Sequence, residues 1–303
     1  MNLKKTYGIN AFECYYNPGE TLSDEGMLKL FGDLVTVNRQ SKKPIEHGLL
    51  PKVSDVSAIK ALYKSCMVCV IRVGGELSGF LISPILKRDN IVVAHTGLVM
   101  ININRGDNLI ALASAHSGIF LYSQIGAYIT TNISSTPSII EVFSRIATKP
   151  WPCPNASLIK PYKGYKQACQ VLFEDYVQKI FLNPEDLEID YRRFVIRSKS
   201  QDMGFTTDLR KISRSADFKF MNFCFTWLDY EKEEDLVQIG KADFRTMVKF
   251  KLFLFAYRFQ GRLMGHKGRK VEPQTASQDL GLQSTSQSTP KGSGIVGKLK
   301  KAN

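Results

Sequence analysis

The chain contains no run of 18 or more apolar residues, so nothing in it reads as a membrane-spanning helix. Its first residues, with Lys4 and Lys5 ahead of Tyr7, lack the apolar stretch of a secretory signal. Cysteine is scarce. Six thiols in 303 residues are too few for a disulfide scaffold. Cys66, Cys69 and Cys224 lie inside apolar segments, where a thiol behaves as a small hydrophobe. The pair Cys66-x-x-Cys69 has no second pair at a metal-finger spacing and reads as packing. These absences point away from secretion and membrane spanning and predict a cytoplasmic protein in a reducing compartment.

What is present is a globular composition, 44% hydrophobic and 11% aromatic, enough for a substantial core. The formal charge of +13 is unevenly spread: residues 261–303 hold eight Lys/Arg and two Asp/Glu, net +6, which leaves +7 on residues 1–260. A moderately basic body attracts an acidic partner, whether a carrier protein, a nucleotide-bearing cofactor, anionic lipid or nucleic acid.

Two punctuation marks divide the chain. Three prolines in Lys149-Pro-Trp-Pro-Cys-Pro-Asn155 forbid a continuing helix. From about Gly265 the sequence turns to Gly, Ser, Gln, Thr and Lys with few apolar residues, a composition that cannot offset the entropy of ordering. The expected organisation is therefore residues 1–150, residues 151–264, and a disordered basic tail over 265–303.

Within the first part, hydrophobic periodicity predicts a strand over Ala11–Tyr16 and helices over Thr21–Val35 and Asp55–Lys64. A hairpin follows, Met67–Val73 and Leu77–Leu86 about Gly74-Gly75. A long strand over Ile91–Ile103 is interrupted at His95-Thr-Gly97, where a glycine inside a strand suggests a bulge or splay. A helix over Leu109–Gln124, a strand over Ala127–Thr131 and a helix from Ser135-Thr-Pro137 to Ala147 complete the order β, α, α, β, β, β, α, β, α.

That order, with a glycine turn between the long strand and a helix, resembles the GCN5-related N-acetyltransferase superfamily over roughly residues 10–148. The resemblance implies an α/β fold, a mixed sheet flanked by helices, here with a mostly helical C-terminal extension. It implies an acyltransferase that moves an acyl group from acyl-CoA or an acyl carrier protein to an amine, and the apolar residues Leu109, Ile110, Leu112, Ile119, Phe120 and Leu121 together with the aromatic second half point to an acyl chain longer than acetyl. In the family the fourth strand splays from the fifth and enters a loop, Arg/Gln-x-x-Gly-x-Gly/Ala. Amides of that loop hold the pyrophosphate of coenzyme A, with the helix dipole behind them. The matching stretch places Val99, Met100 and Ile101 on the strand, and Arg105, Gly106, Asp107, Asn108 and Leu109 at the pyrophosphate. It supplies one glycine where the family has two, and Asp107 brings a negative charge unless it caps the helix. The same stretch also reads as a polar turn entering a helix. Asn132 matches the family's asparagine after the fifth strand, whereas Phe143 stands where a tyrosine acid is common, so the acid is unassigned. The base needs a pKa near neutrality, and His95 beside the bulge is the candidate.

No metal-binding pattern is present. In the second part, Tyr165–Ile180 reads as an amphipathic helix and Phe194–Arg197 as a strand. Phe218–Tyr230 is aromatic-rich, with an apolar content that argues for burial. Ala242–Leu263 interleaves aromatics with Arg245, Lys249 and Lys251, the pattern of a core helix with snorkelling cations, or of one that lies on an anionic membrane surface or docks an acidic partner. A catalytically silent partner-binding relative is the alternative to the enzyme. Nucleic-acid binding ranks last, because no reader motif is present.

Overall fold

The structure, a computed structural model, describes residues 2–7, 10–41, 44–101, 109–154, 161–180, 184–198, 215 and 217–263. Met1–Leu263 is one compact unit, and the tail expected over 265–303 lies outside the described residues.

The chain is α/β. Eleven strands form one mixed sheet: β1 Asn2–Tyr7, β2 Asn10–Tyr16, β3 Cys66–Val73, β4 Glu76–Arg88, β5 Ile91–Thr96, β6 Leu98–Ile101, β7 Tyr128–Ser134, β8 Thr148–Trp151, β9 Leu187–Asp190, β10 Val195–Ser198 and β11 Asp235–Ala242. The order is β1-β2-β3-β4-β5-β7-β11-β10-β9, with β6 on β4 and β8 on β11. Among the described residues every pairing is antiparallel except β5 with β7. The long pairing of β7 with β11, from Tyr128↔Ala242 to Ser134↔Leu236, carries the sheet from the first half of the chain into the second.

The helices are α1 Pro18–Thr21, α2 Asp24–Gln40, α3 Val56–Tyr63, α4 Leu109–Ile125, α5 Pro137–Ile146, α6 Tyr165–Leu172, α7 Gln178–Ile180, α8 Phe218–Trp227 and α9 Phe244–Leu263. Between α6 and α7 the helix widens into a π segment, Phe173–Val177, where a continuous α-helix was expected. Local chemistry fixes the starts. Ser23 Oγ accepts from Gly26 N at the head of α2, and the Asp55 carboxylate accepts from Ser57 N and Ala58 N at the head of α3. Helix α2 continues to Gln40, past the expected end at Val35, because Val37 still faces the core.

Two apolar layers sandwich the sheet. On one face α2, α3, α6 and the π segment bury Leu34, Tyr63, Leu172 and Val177 against Val68, Phe80 and Ile239. On the other, α4 lies on Cys69, Ile71 and Leu81 and is covered by α9. Gly118 permits this cover: a Cβ there would stand 2.4 Å from the Phe250 ring. A smaller cluster joins α5 and α8 to Val195 and Leu236. The CxxC cysteines point to opposite faces of β3, Cys66 into the first layer and Cys69 into the second, and all six cysteines are buried thiols outside any disulfide.

Candidate functional site

The interruption at His95-Thr-Gly97 is a β-bulge. Ala94 pairs with Ile85 and Leu98 with Ile82, so four steps on this strand oppose three on β4, and the extra residue shifts the face alternation. Val92 and Ala94 face α4 before the bulge, and Val99 and Ile101 do so after it. Gly97 N donates to Ile82 O at 3.1 Å. A side chain cannot fit at this corner: a Cβ on Gly97 would lie 2.7 Å from the Tyr176 hydroxyl and 2.8 Å from Pro84 Cδ. Gly97→Ala is expected to cost about 1–3 kcal/mol, the range for overpacking, read as a lowered thermal midpoint.

The bulge also opens a wedge. The parallel ladder of β5 and β7 runs from Val93↔Ile129 to Thr96↔Asn132 and stops. Beyond it, β6 pairs only with β4, and Ile133 and Ser134 pair only with β11. Among the described residues, the edges of β6 and β7 that face each other therefore form no ladder.

Different side chains line the two sides of this wedge. On the α6 side, His95 is 3% exposed, its Nδ1 3.0 Å from Thr131 Oγ1 and its ring 4.8 Å from that of Tyr176. Burial, with a smaller contribution from nearby His47, pushes the His95 pKa down to about 3. His47 is itself lowered to about 4 by burial, and its Nδ1 accepts from Leu49 N at 3.1 Å. Both imidazoles are thus neutral at physiological pH. Tyr176 is held in place by Arg88, which reaches from β4 to Asp175 with Nε at 3.0 Å and Nη2 at 2.6 Å.

On the α5 side stands Asn132, 6% exposed, with no partner for its Nδ2 among the described residues. Its cross-strand neighbour Gln238 donates through Nε2 to Ser144 Oγ at 2.9 Å and Pro152 O at 3.2 Å, while its Oε1 has no partner. A buried amide left without a partner is uncommon in folded proteins and marks a place where a ligand or water can bind.

The expected site residues thus fall into three groups. His95 and Asn132 flank one wedge from opposite sides of the sheet. Val99 and Ile101 are partly buried on the α4 side, Met100 is buried against the opposite layer, and Leu109 is buried at the start of α4. Arg105, Gly106, Asp107 and Asn108 lie outside the described residues. Tyr176 was missed, because in the sequence it is one more apolar position of an amphipathic helix; its hydroxyl becomes a site group only through contact with Gly97. No cluster of metal-ligating side chains occurs among the described residues. No helix of the described residues is long and apolar enough to cross a membrane.

Comparison with known proteins finds no family model that matches this chain and no curated protein that matches its sequence.

Proposed function

We propose that the wedge between β6 and β7 binds the phosphopantetheine arm of acyl-CoA or of an acyl carrier protein, and that the chain is an acyltransferase-like protein with an amine as acceptor. The observation that carries this reading is the bulged strand whose parallel neighbour leaves it at Asn132, with that residue's buried amide unpaired. A pantetheine arm carries amides that pair with exposed strand edges as a peptide would. Helix α4 begins at Leu109, and the first amides of a helix suit a pyrophosphate.

The neutral His95 bears on chemistry. With a pKa of about 3 it is a weak proton acceptor and suits hydrogen bonding to an amine that has already lost its proton in a dry site. The same low basicity is what a catalytically silent relative would carry, and turnover separates the two readings. A reducing, cytoplasmic location is part of the proposal and agrees with six thiols outside any disulfide.

Acyl length is set by available space. Leu112, Phe120 and Leu121 of α4 are at most 2% exposed and packed in the core, so they offer no lining to a long chain. Calorimetry with CoA, acetyl-CoA and longer acyl-CoAs is expected to show binding with nearly constant affinity along the series; no binding by any of them sinks the proposal. Asn132→Leu, which removes the orphaned amide, is expected to preserve or raise the thermal midpoint while lowering CoA affinity at least fivefold. An unchanged affinity would separate Asn132 from the ligand.

A further inference from the structure

We infer that α9 carries a docking surface for an anionic lipid bilayer, independent of the wedge. The helix has two apolar stripes rather than one. Met247, Phe250 and Leu254 are buried against α4, at 4–7% exposure. About a third of a turn around the axis lie Phe244, Val248, Leu252 and Phe255, spaced i, i+4, i+8, i+11 along one outer face. They are 70%, 38%, 63% and 60% exposed. Folding therefore buries only the first stripe.

Charge says what covers the second. Lys251 lies between the two stripes, and Arg245 and Lys249 flank the outer one on its far side; all three are exposed. Beside Lys251, a groove of about 260 Å³ between β1, α4 and α9 is lined by Leu3, Ile119 and Phe255, with Lys5 as a second cation. Apolar side chains rimmed by ammonium and guanidinium groups match the interface of an acidic bilayer, where rings enter the acyl boundary and cations meet phosphates. A second copy of the chain fits less well, because a two-fold contact on this face brings Arg245, Lys249 and Lys251 toward their own counterparts. The helix lies on the surface and does not cross it.

The test is co-sedimentation of the full-length protein with vesicles of phosphatidylcholine alone and with about a third phosphatidylserine, a composition giving a strongly negative surface. Binding is expected only to the acidic vesicles and weakened by salt. Phe244→Ser with Leu252→Ser, at exposed positions that leave the α4 contact intact, is expected to lower the partition coefficient at least tenfold with an unchanged thermal midpoint. Lys251→Glu with Arg245→Glu is expected to do the same. Acidic-vesicle binding that survives the serine substitutions would come from basic residues elsewhere, such as Lys298, Lys300 and Lys301, and would overturn the inference. So would the absence of vesicle binding, or a dimer in light scattering that the serine substitutions dissociate.

Discussion

Replacing Arg193 by methionine is expected to destabilise the protein by about 2–4 kcal/mol, the cost of leaving a buried carboxylate without its countercharge. The partner is Glu234, only 3% exposed on its side chain, which receives Arg193 Nη1 at 3.0 Å and Nη2 at 2.8 Å. The same guanidinium donates to Trp227 O, and Trp227 Nε1 donates back to Arg193 O at 2.9 Å, so one residue ties the β9–β10 turn to the end of α8 and the start of β11. Removing the cation leaves Glu234 with Asp229 N as its remaining donor, at 2.8 Å. Urea titration of Arg193→Met should show the loss, and adding Glu234→Gln should recover most of it, because the amide needs no countercharge. A loss below about 0.5 kcal/mol would place the pair among exposed ion pairs of little worth.

Acid is expected to destabilise the protein already between pH 7 and pH 5. His95 and His47 bind protons near pH 6.5 when unfolded but at only about 3 and about 4 when folded. Between those limits the unfolded chain holds more protons, so stability is complete above about pH 6.5 and declines as the pH falls. Asp235 opposes the trend. Burial raises its pKa to about 6, so it favours the folded state as the pH falls from about 6 to 3.8. The two imidazoles outweigh the one carboxyl, and the net loss between pH 7 and pH 5 is on the order of 2–3 kcal/mol. His95→Asn keeps an acceptor near the position of Nδ1 for Thr131 and is expected to flatten this dependence. Urea midpoints at both pH values give the answer, and parallel curves for variant and parent would remove His95 as a cause.

Most of the order of elements from Asn10 to Ile146 was legible because each signal was local. Ser23 and Asp55 cap helices, Gly74-Gly75 turns a hairpin, and Gly97 bends a strand, all from residues close in sequence. Four strands escaped notice for physical reasons, one of them Thr148–Trp151, whose Pro150 and the two prolines after it read as a linker. Asn2–Tyr7 is a polar edge strand with Lys4 and Lys5, the composition that keeps an edge from pairing with other chains. Asp235–Ala242 is central and buried on both faces, yet its Gln238 and Gly240 break the apolar run that would reveal it. Leu187–Asp190 is four residues long and alternates too briefly to be seen.

The sequence by itself determined the α/β class, the bulge at Gly97 and the presence of His95 beside it, because period, capping and turn chemistry act over a few residues, whereas the β5–β7 pairing brought Asn132 there. Tertiary structure decided what those residues became. Only packing against α6 and the π segment made His95 a neutral, buried imidazole and brought Tyr176 to Gly97, since desolvation depends on neighbours some 80 residues away. Packing also divided α9, hiding Met247, Phe250 and Leu254 and leaving Phe244, Leu252 and Phe255 in water. In the sequence these residues share one hydrophobicity, and only the position of α4 tells them apart.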